Sequence, residues 1–139
     1  MTRIKYDMNL MKYMELFETL TRAKLKDCFI DKLERVVFVV MPNNIGKAIG
    51  KKGINIKKIE DLLKKKIRIV EFDPEMNKFI SNLVFPLKIT GFRFEGGILT
   101  INGADTNTKG LLIGRNAQNL RNTESIVKRF FELEEIKVI

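Results

Sequence analysis

The densest concentration of glycine and lysine in the chain is the segment Gly46-Lys-Ala-Ile-Gly50-Lys-Lys-Gly53. Glycine lets a backbone approach a ligand closely and lysine attracts anions, so these residue types at this spacing are suited to holding phosphate groups. The segment does not match a nucleoside-triphosphate loop, because three residues stand between Gly46 and Gly50 where four are required. Lys52 also occupies the place of the Ser or Thr hydroxyl that would hold magnesium. The pattern therefore predicts binding of phosphate groups without nucleotide hydrolysis.

The residue types on which many enzymatic sites depend are missing. The 139 residues include no histidine and a single cysteine, Cys28. Ser–His and Cys–His nucleophiles, His-ligated metals and thiolate clusters are thereby excluded. We therefore expect a binding protein and not an enzyme, with no metal ion and no other cofactor.

Positive charge is concentrated in the first half of the chain. Residues 1–72 hold 17 Lys+Arg and 9 Asp+Glu, whereas residues 73–139 hold 9 and 8. Within the first half, residues 43–68 carry nine basic side chains against Glu60 and Asp61. Such a field attracts polyanions and releases their counterions on binding. The same window lacks Phe and Tyr, so a nucleic acid would contact backbone amides, cationic tips and isoleucines instead of stacking on aromatic rings.

The basic segment has a counterpart 64 residues further on. Ile49–Glu60 (IGKKGINIKKIE) aligns with Ile113–Glu124 (IGRNAQNLRNTE). The identical pairs, including one just upstream, are Gly46/Gly110, Ile49/Ile113, Gly50/Gly114, Asn55/Asn119 and Glu60/Glu124. A repeat of this length predicts two related units.

The flanking patterns agree with a duplication. Each half shows the order helix, strand, strand, helix, helix, strand, read from helical apolar spacing and from short β-like runs. The boundary is expected near residue 72, which gives domains of residues 1–72 and 73–139. Asp73-Pro74 is expected to start the first helix of the second domain, and Pro86 to end it. The fold class is α/β (α+β).

Ile-Gly-Lys-Lys-Gly-x-x-Ile at Ile49–Ile56 resembles the Gly-x-x-Gly signature of the KH module, whose loop clamps about four nucleotides of a single strand. The element order resembles the type II arrangement. Over all 139 residues the chain resembles the archaeal NusA-type transcription factors, which have two KH domains. The resemblance implies that each domain has the order αββααβ, with a three-stranded sheet packed on three helices.

The resemblance also implies RNA binding, carried mainly by Gly50, Lys51, Lys52 and Gly53. The second copy, Gly114-Arg115-Asn116-Ala117, departs from the signature at Ala117, so we expect it to be the weaker contact. Alanine is acceptable there if the backbone is helical and unfavourable if φ must be positive. The full set of predicted RNA-binding residues is Ile45, Gly46, Lys47, Ile49, Gly50, Lys51, Lys52, Gly53, Ile54, Asn55, Ile56, Lys57, Gly110, Ile113, Gly114, Arg115, Asn116, Ala117 and Arg121.

The predicted function is binding of single-stranded RNA in transcription elongation, termination or antitermination. The partners expected are a nascent transcript or rRNA, with RNA polymerase as a further candidate. We expect a cytoplasmic monomer with no membrane association. Two alternatives remain open at this point: a ribosome-associated or RNA-processing KH protein, and a scaffold whose lysines dock on an acidic surface of RNA polymerase.

Overall fold

A computed structural model describes residues 7–139 of the chain. Contacts divide the protein into two compact units, residues 1–72 and residues 73–139. Each unit has its own three-stranded sheet. No helix in the described part of the chain is both long and apolar enough to cross a lipid bilayer.

The first unit has the order αββααβ. Its elements are α1 (Met8–Thr21), β1 (Leu25–Ile30), β2 (Val36–Val40), α2 (Ile45–Ile49), α3 (Ile54–Leu63) and β3 (Ile67–Glu71). β1 pairs antiparallel with β2, and β2 pairs parallel with β3. A parallel neighbour requires a crossover connection, and α2 and α3 provide it. The segment between α2 and α3 therefore lies in the connection between the paired strands β2 and β3.

All three helices of the first unit pack on one face of this sheet. Phe17 of α1 stacks on Phe38 of β2, with ring centroids 4.3 Å apart and an interplanar angle of 12°. Ala48 of α2 and Ile59 of α3 are fully buried in the same cluster. Because Ala48 and Ile59 lie on either side of Gly50–Gly53, burial of their side chains fixes both ends of that stretch against the core.

The second unit repeats the arrangement. Its elements are α4 (Met76–Val84), β4 (Ile89–Glu95), β5 (Ile98–Gly103), α5 (Thr106–Ile113), α6 (Gln118–Val127) and β6 (Glu135–Val138). β5 is antiparallel to β4 and parallel to β6. Phe79 of α4 lies edge-on to Phe130 at 5.3 Å, and Leu99, Ile101 and Ile136 of the sheet are buried. The predicted α/β class and its αββααβ order are thus confirmed in both units.

One predicted helix start is wrong. We expected α4 to begin at Asp73-Pro74, but it begins at Met76. The Asp73 carboxylate accepts a hydrogen bond from the Glu75 amide at 2.8 Å. This bond closes a short turn, and the helix begins at the next residue, Met76. α4 ends at Val84, two residues before Pro86, as the proline predicted.

Candidate nucleic-acid interface

The first loop, Gly50–Gly53, begins where α2 stops. The Gly50 amide donates to the Gly46 carbonyl at 3.0 Å, which is the last bond of that helix. Gly50 then adopts φ 73° and ψ 173°, a region that is essentially restricted to glycine. A Cβ at this position would also lie 2.8 Å from Asn55 Nδ2. Both the backbone angle and the close neighbour therefore require glycine at Gly50.

The next three residues form a single 3-10 turn that leads into α3. Lys51 and Lys52 are exposed, and Lys52 has the left-handed angles φ 56° and ψ 27°. Gly53 follows at φ 73° and ψ 20°, and its amide donates to the Gly50 carbonyl at 3.2 Å. The first amides of a helical turn have no acceptor within that turn and carry partial positive charge. The loop thus presents two ammonium groups beside backbone donors, which together suit a phosphodiester.

Asn55 fastens the first loop to the helix before it. Its Nδ2 donates to the Lys47 carbonyl at 2.9 Å, across the loop from α3 to α2. The bond satisfies a carbonyl near the end of α2 whose helical partner is lost when the chain turns at Gly50. We predicted Asn55 as an RNA contact, and the structure shows that its side-chain nitrogen is used within the fold. Its side chain therefore sets the shape of the loop.

The four isoleucines predicted as RNA contacts in the first unit are divided between core and surface. Ile45 and Ile56 are half-buried and pack against the core of the first unit, and Ile49 is half-buried as well. Ile54 is 47% exposed at the first position of α3. Ile54 is therefore the most exposed of these four isoleucines. Three further members of the predicted set, Gly46, Lys47 and Lys57, are exposed.

The second loop, Gly114–Ala117, has nearly the same backbone. Gly114 lies at φ 74° and ψ 174°, and Asn116 at φ 55° and ψ 31°. Asn119 Nδ2 donates to the Leu111 carbonyl at 2.9 Å, in the same way as Asn55 in the first loop. Ala117 lies at φ 60° and ψ 21°, which is left-handed. The unfavourable case that we considered for this alanine is the one that occurs.

The surroundings of the second loop are less basic than those of the first. Arg115 and Asn116 are exposed, whereas the equivalent pair in the first loop is Lys51 and Lys52. Arg121 is exposed too, but its Nη1 lies 3.3 Å from Glu124 Oε2. The remaining predicted residues, Gly110 and Ile113, are exposed and half-buried respectively. The second loop therefore keeps the backbone of the first loop with less positive charge around it.

Three residues singled out by the sequence do not belong to the loop surface: two repeated glutamates and Arg68. The repeated glutamates each tie a helix to the next strand: Glu60 Oε2 accepts from the Ile67 amide at 3.1 Å, and Glu124 Oε2 from the Ile136 amide at 2.9 Å. Arg68, which we counted in the basic segment, is half-buried on β3. Burial lowers the pKa of its guanidinium, and the nearby positive charge of Arg35 lowers this pKa further. Arg68 is therefore not one of the exposed basic side chains of that segment.

The predicted set of RNA contacts omitted an exposed apolar residue beside the second loop. Leu111 is 48% exposed on α5, three residues before the second loop. The alignment of the two halves could have indicated it, because Leu111 corresponds to Lys47 of the predicted set.

Within residues 7–139, no three His, Cys, Asp or Glu side chains are grouped closely enough to hold a metal ion.

Comparison with known proteins agrees with this architecture. Residues 12–74 match the family model of the KH domain. A solved structure described as the crystal structure of APE1850 superposes with a TM-score of 0.79 at 24% identity, covering 96% of this chain and 100% of that one, which shows a shared fold.

Curated relatives extend the similarity beyond the first unit. The chain is 30% identical over 126 residues to the "Probable transcription termination protein NusA" of Methanocaldococcus jannaschii, covering 88% of this chain and 68% of the relative. It is 30% identical over 140 residues to the protein of the same name from Methanococcus vannielii, covering 99% and 80%. The Halococcus morrhuae protein of that name is 25% identical over 130 residues, covering 92% and 93%. The chain therefore belongs to the archaeal NusA family.

Proposed function

We propose that this chain binds single-stranded RNA at the first loop, with the second loop as an auxiliary contact, and that it acts on transcription termination, antitermination or elongation. The observation that carries the proposal is the first loop itself. It is a glycine-bounded turn with two exposed lysines, closed at its base by a hydrogen bond from Asn55. The name shared by the curated relatives supports the role in transcription.

The proposed mechanism is noncovalent and uses the backbone as much as the side chains. Phosphates of the strand lie against the loop, where a Cβ at Gly53 is absent and space is open. The amides of the turn donate to phosphate oxygens, and Lys51 and Lys52 neutralise their charge. Exposed Ile54 offers apolar area to a base next to the clamped phosphates. Sequence preference is modest, since phosphate contacts carry no sequence information.

The decisive experiment reverses the loop charges. We expect Lys51→Asp with Lys52→Asp to fold normally, because both side chains are exposed. Two lost charge-assisted contacts at about 1.5–3 kcal/mol each predict a loss of at least about a hundredfold in affinity for a short unstructured RNA. Fluorescence anisotropy measures the affinity, and circular dichroism checks the fold.

A matched variant separates the loop from net charge. Lys64 and Lys65 are exposed lysines beyond the far end of α3, about 15 Å along the helix from the loop. Lys64→Asp with Lys65→Asp changes the net charge equally, and we expect a loss below about tenfold from long-range attraction alone. Equal losses in the two double variants would show that general charge, and not the loop, binds RNA.

The role in transcription is tested separately from binding. The wild-type chain and the loop variant are added to elongation complexes of an archaeal RNA polymerase on a template with an intrinsic terminator. We expect the wild type to change the fraction of terminated transcript and the loop variant to have no effect. An equal change with both proteins would indicate that the chain acts through a protein contact and not through RNA.

A further inference from the structure

An open groove lies on the outer face of the second sheet, the face opposite the buried core of that unit. Its volume is about 620 Å³, and sites for small ligands usually measure about 300–1,000 Å³. Along β5 the lining residues alternate with the buried Leu99 and Ile101, so groove and core are on opposite faces. All three strands contribute to the lining, which consists of Gly91, Phe92, Arg93, Glu95, Ile98, Thr100, Asn102, Lys137 and Ile139.

Strand pairing arranges the hydrogen-bond donors of the groove in a row. Arg93 pairs with Thr100 and Thr100 pairs with Lys137, so two cationic side chains flank one hydroxyl group. Because neighbouring strands are about 4.8 Å apart, the outer two Cα atoms of the row are about 10 Å apart, and both long side chains can reach one phosphate. Asn102 lies two residues after Thr100 on the same face and adds an amide donor. The row is therefore suited to an anion.

The groove also contains a carboxylate, Glu95. Its Oε2 accepts a hydrogen bond from Arg93 Nη2 at 2.9 Å, and both side chains are largely exposed. An exposed ion pair contributes little free energy, and a guanidinium has further N–H donors for a phosphate. Glu135 pairs with Ile98 but is not among the lining residues. The groove lining thus has two cations and one carboxylate, an excess of positive charge.

Gly91 leaves one side of the groove without a side chain, although the fold does not require glycine there. Its φ is not positive, and a Cβ would lie at an ordinary contact distance of 3.7 Å from Asn102. β4 has a bulge between Ile89 and Gly91. The equivalent bulge in the first unit, between Leu25 and Asp27, forms without glycine. Because Gly91 pairs with Asn102 on the groove face, a longer side chain here would fill the groove.

The corresponding face of the first sheet has a different character. Counted from the two bulges, the residues in the places of Arg93, Thr100 and Asn102 are Phe29, Val37 and Val39. All three of these first-unit residues are buried. The second unit therefore has polar, accessible side chains where the first has an apolar, buried surface, and this difference indicates a polar ligand in the second unit.

We infer that the outer face of the second sheet binds a segment of single-stranded RNA beyond the nucleotides held at the loops. The inference rests on the proposed function and extends it to a surface that contains none of the predicted RNA-binding residues. A phosphate lies over Thr100 between Arg93 and Lys137, and Ile98 and Ile139 offer apolar area to a sugar or base. A free nucleotide leaves such an open groove readily. A nucleotide joined to a strand already held at a loop is present at an effective concentration of about millimolar.

The inference predicts that the groove contributes to the binding of long RNA only. Lys137→Gln removes one charge-assisted contact, and Gly91→Val fills the groove. Each should weaken binding of an RNA of about 20 nucleotides about tenfold. Neither should change the affinity for an RNA of about five nucleotides, which covers a single loop. Both variants should fold, because Lys137 is exposed and valine favours a strand. Anisotropy measures the affinities, and circular dichroism checks the fold.

Lys78→Gln is the matched control for the loss of charge. Lys78 is an exposed lysine of the same unit that does not line the groove, so its replacement should leave both affinities unchanged. A loss equal to that of Lys137→Gln would overturn the inference. Unchanged affinity of either groove variant for the longer RNA would also overturn it, and so would an equal loss for the shorter RNA.

The same measurements separate this inference from the proposed function. If the groove variants bind the longer RNA normally while the Lys51 and Lys52 double variant does not, only this inference fails. If the double variant also keeps its affinity, the proposed function fails with it. Normal binding of the longer RNA by Lys137→Gln, together with loss of its effect on termination, would overturn the inference and assign this face to a protein partner.

Discussion

Ala117→Gly should stabilise the second unit, because Ala117 adopts a conformation that favours glycine. Ala117 has φ 60° and ψ 21°, close to the φ 73° and ψ 20° of Gly53 at the equivalent place in the first unit. In the left-handed region an L-residue carries a steric cost of about 1–2 kcal/mol. Glycine removes that cost, but it also gives the unfolded chain more conformational entropy, which lowers the free energy of unfolding by about 0.4–1 kcal/mol. The net gain is therefore about 0.5–1 kcal/mol, or roughly 2–6 °C in the thermal midpoint.

The reverse change in the first unit should have the opposite sign. Gly53→Ala places a Cβ in open space, so its net cost is the backbone strain less the unfolded-state entropy term, about 0.5–1 kcal/mol. Gly50→Ala should cost more, about 2–4 kcal/mol, because its φ and ψ are restricted to glycine and its Cβ would displace the Asn55 amide. The structure thus predicts that the fourth loop position tolerates alanine and the first does not.

Urea unfolding followed by circular dichroism measures these differences, with equal m-values as the condition for comparing midpoints. RNA affinity of Ala117→Gly should stay the same or improve, since the loop geometry is already the favourable one. The reasoning is refuted if Ala117→Gly lowers the midpoint, or if Gly53→Ala destabilises as much as Gly50→Ala. A large loss of RNA affinity in Ala117→Gly would show that the second loop is wrongly placed.

Three further predictions concern the loop closure, the RNA contact and the second unit. Asn55→Ala should lower stability by about 1 kcal/mol and weaken RNA binding, because the Lys47 carbonyl loses its partner; urea midpoints and anisotropy measure the two effects. If four or five phosphates are neutralised, the logarithm of the binding constant should fall with the logarithm of salt concentration at a slope of roughly −3, and a flat salt titration would contradict phosphate binding. Hydrogen bonds from Thr108 lower the pKa of the Asp105 carboxylate at the start of α5. Its stabilising contribution should be complete above the unfolded-state pKa of about 4 and be lost as pH falls through the lower folded pKa, so Asp105→Asn should reduce the acid dependence of the urea midpoint.

The order of helices and strands could be predicted because it depends on patterns that are local in the sequence. Apolar spacing along α1 and α4 shows which faces are buried, and the β-branched run of β2 indicates a buried strand. The internal repeat adds independent support, since two segments with one pattern fold alike. The start of α4 could not be predicted in this way, because the Asp73 carboxylate bonds to a nearby amide in either a helix cap or a short turn.

The loop residues could be predicted in position but not in role. Glycine and lysine spacing predicts a loop that a phosphate could approach, yet the sequence does not show which side chains point inward. Asn55 has its nitrogen on the Lys47 carbonyl, and Arg68 is half-buried on an edge strand. Both are polar residues within a basic segment, so composition alone places them on the surface. Only the folded chain shows that Asn55 closes the loop and that Arg68 is half-buried.

The near-identity of the two loop backbones has a consequence for finding such proteins. The Gly-x-x-Gly sequence motif requires glycine at both ends, so a sequence-pattern search does not detect Gly114–Ala117. The dihedral angles at its first, third and fourth residues nevertheless agree with those of Gly50–Gly53 within about fifteen degrees. A descriptor that keeps the opening glycine and the asparagine five residues later, and that relaxes the closing position, would detect both copies. Genome surveys built on it should find degenerate modules that lettered motifs leave uncounted.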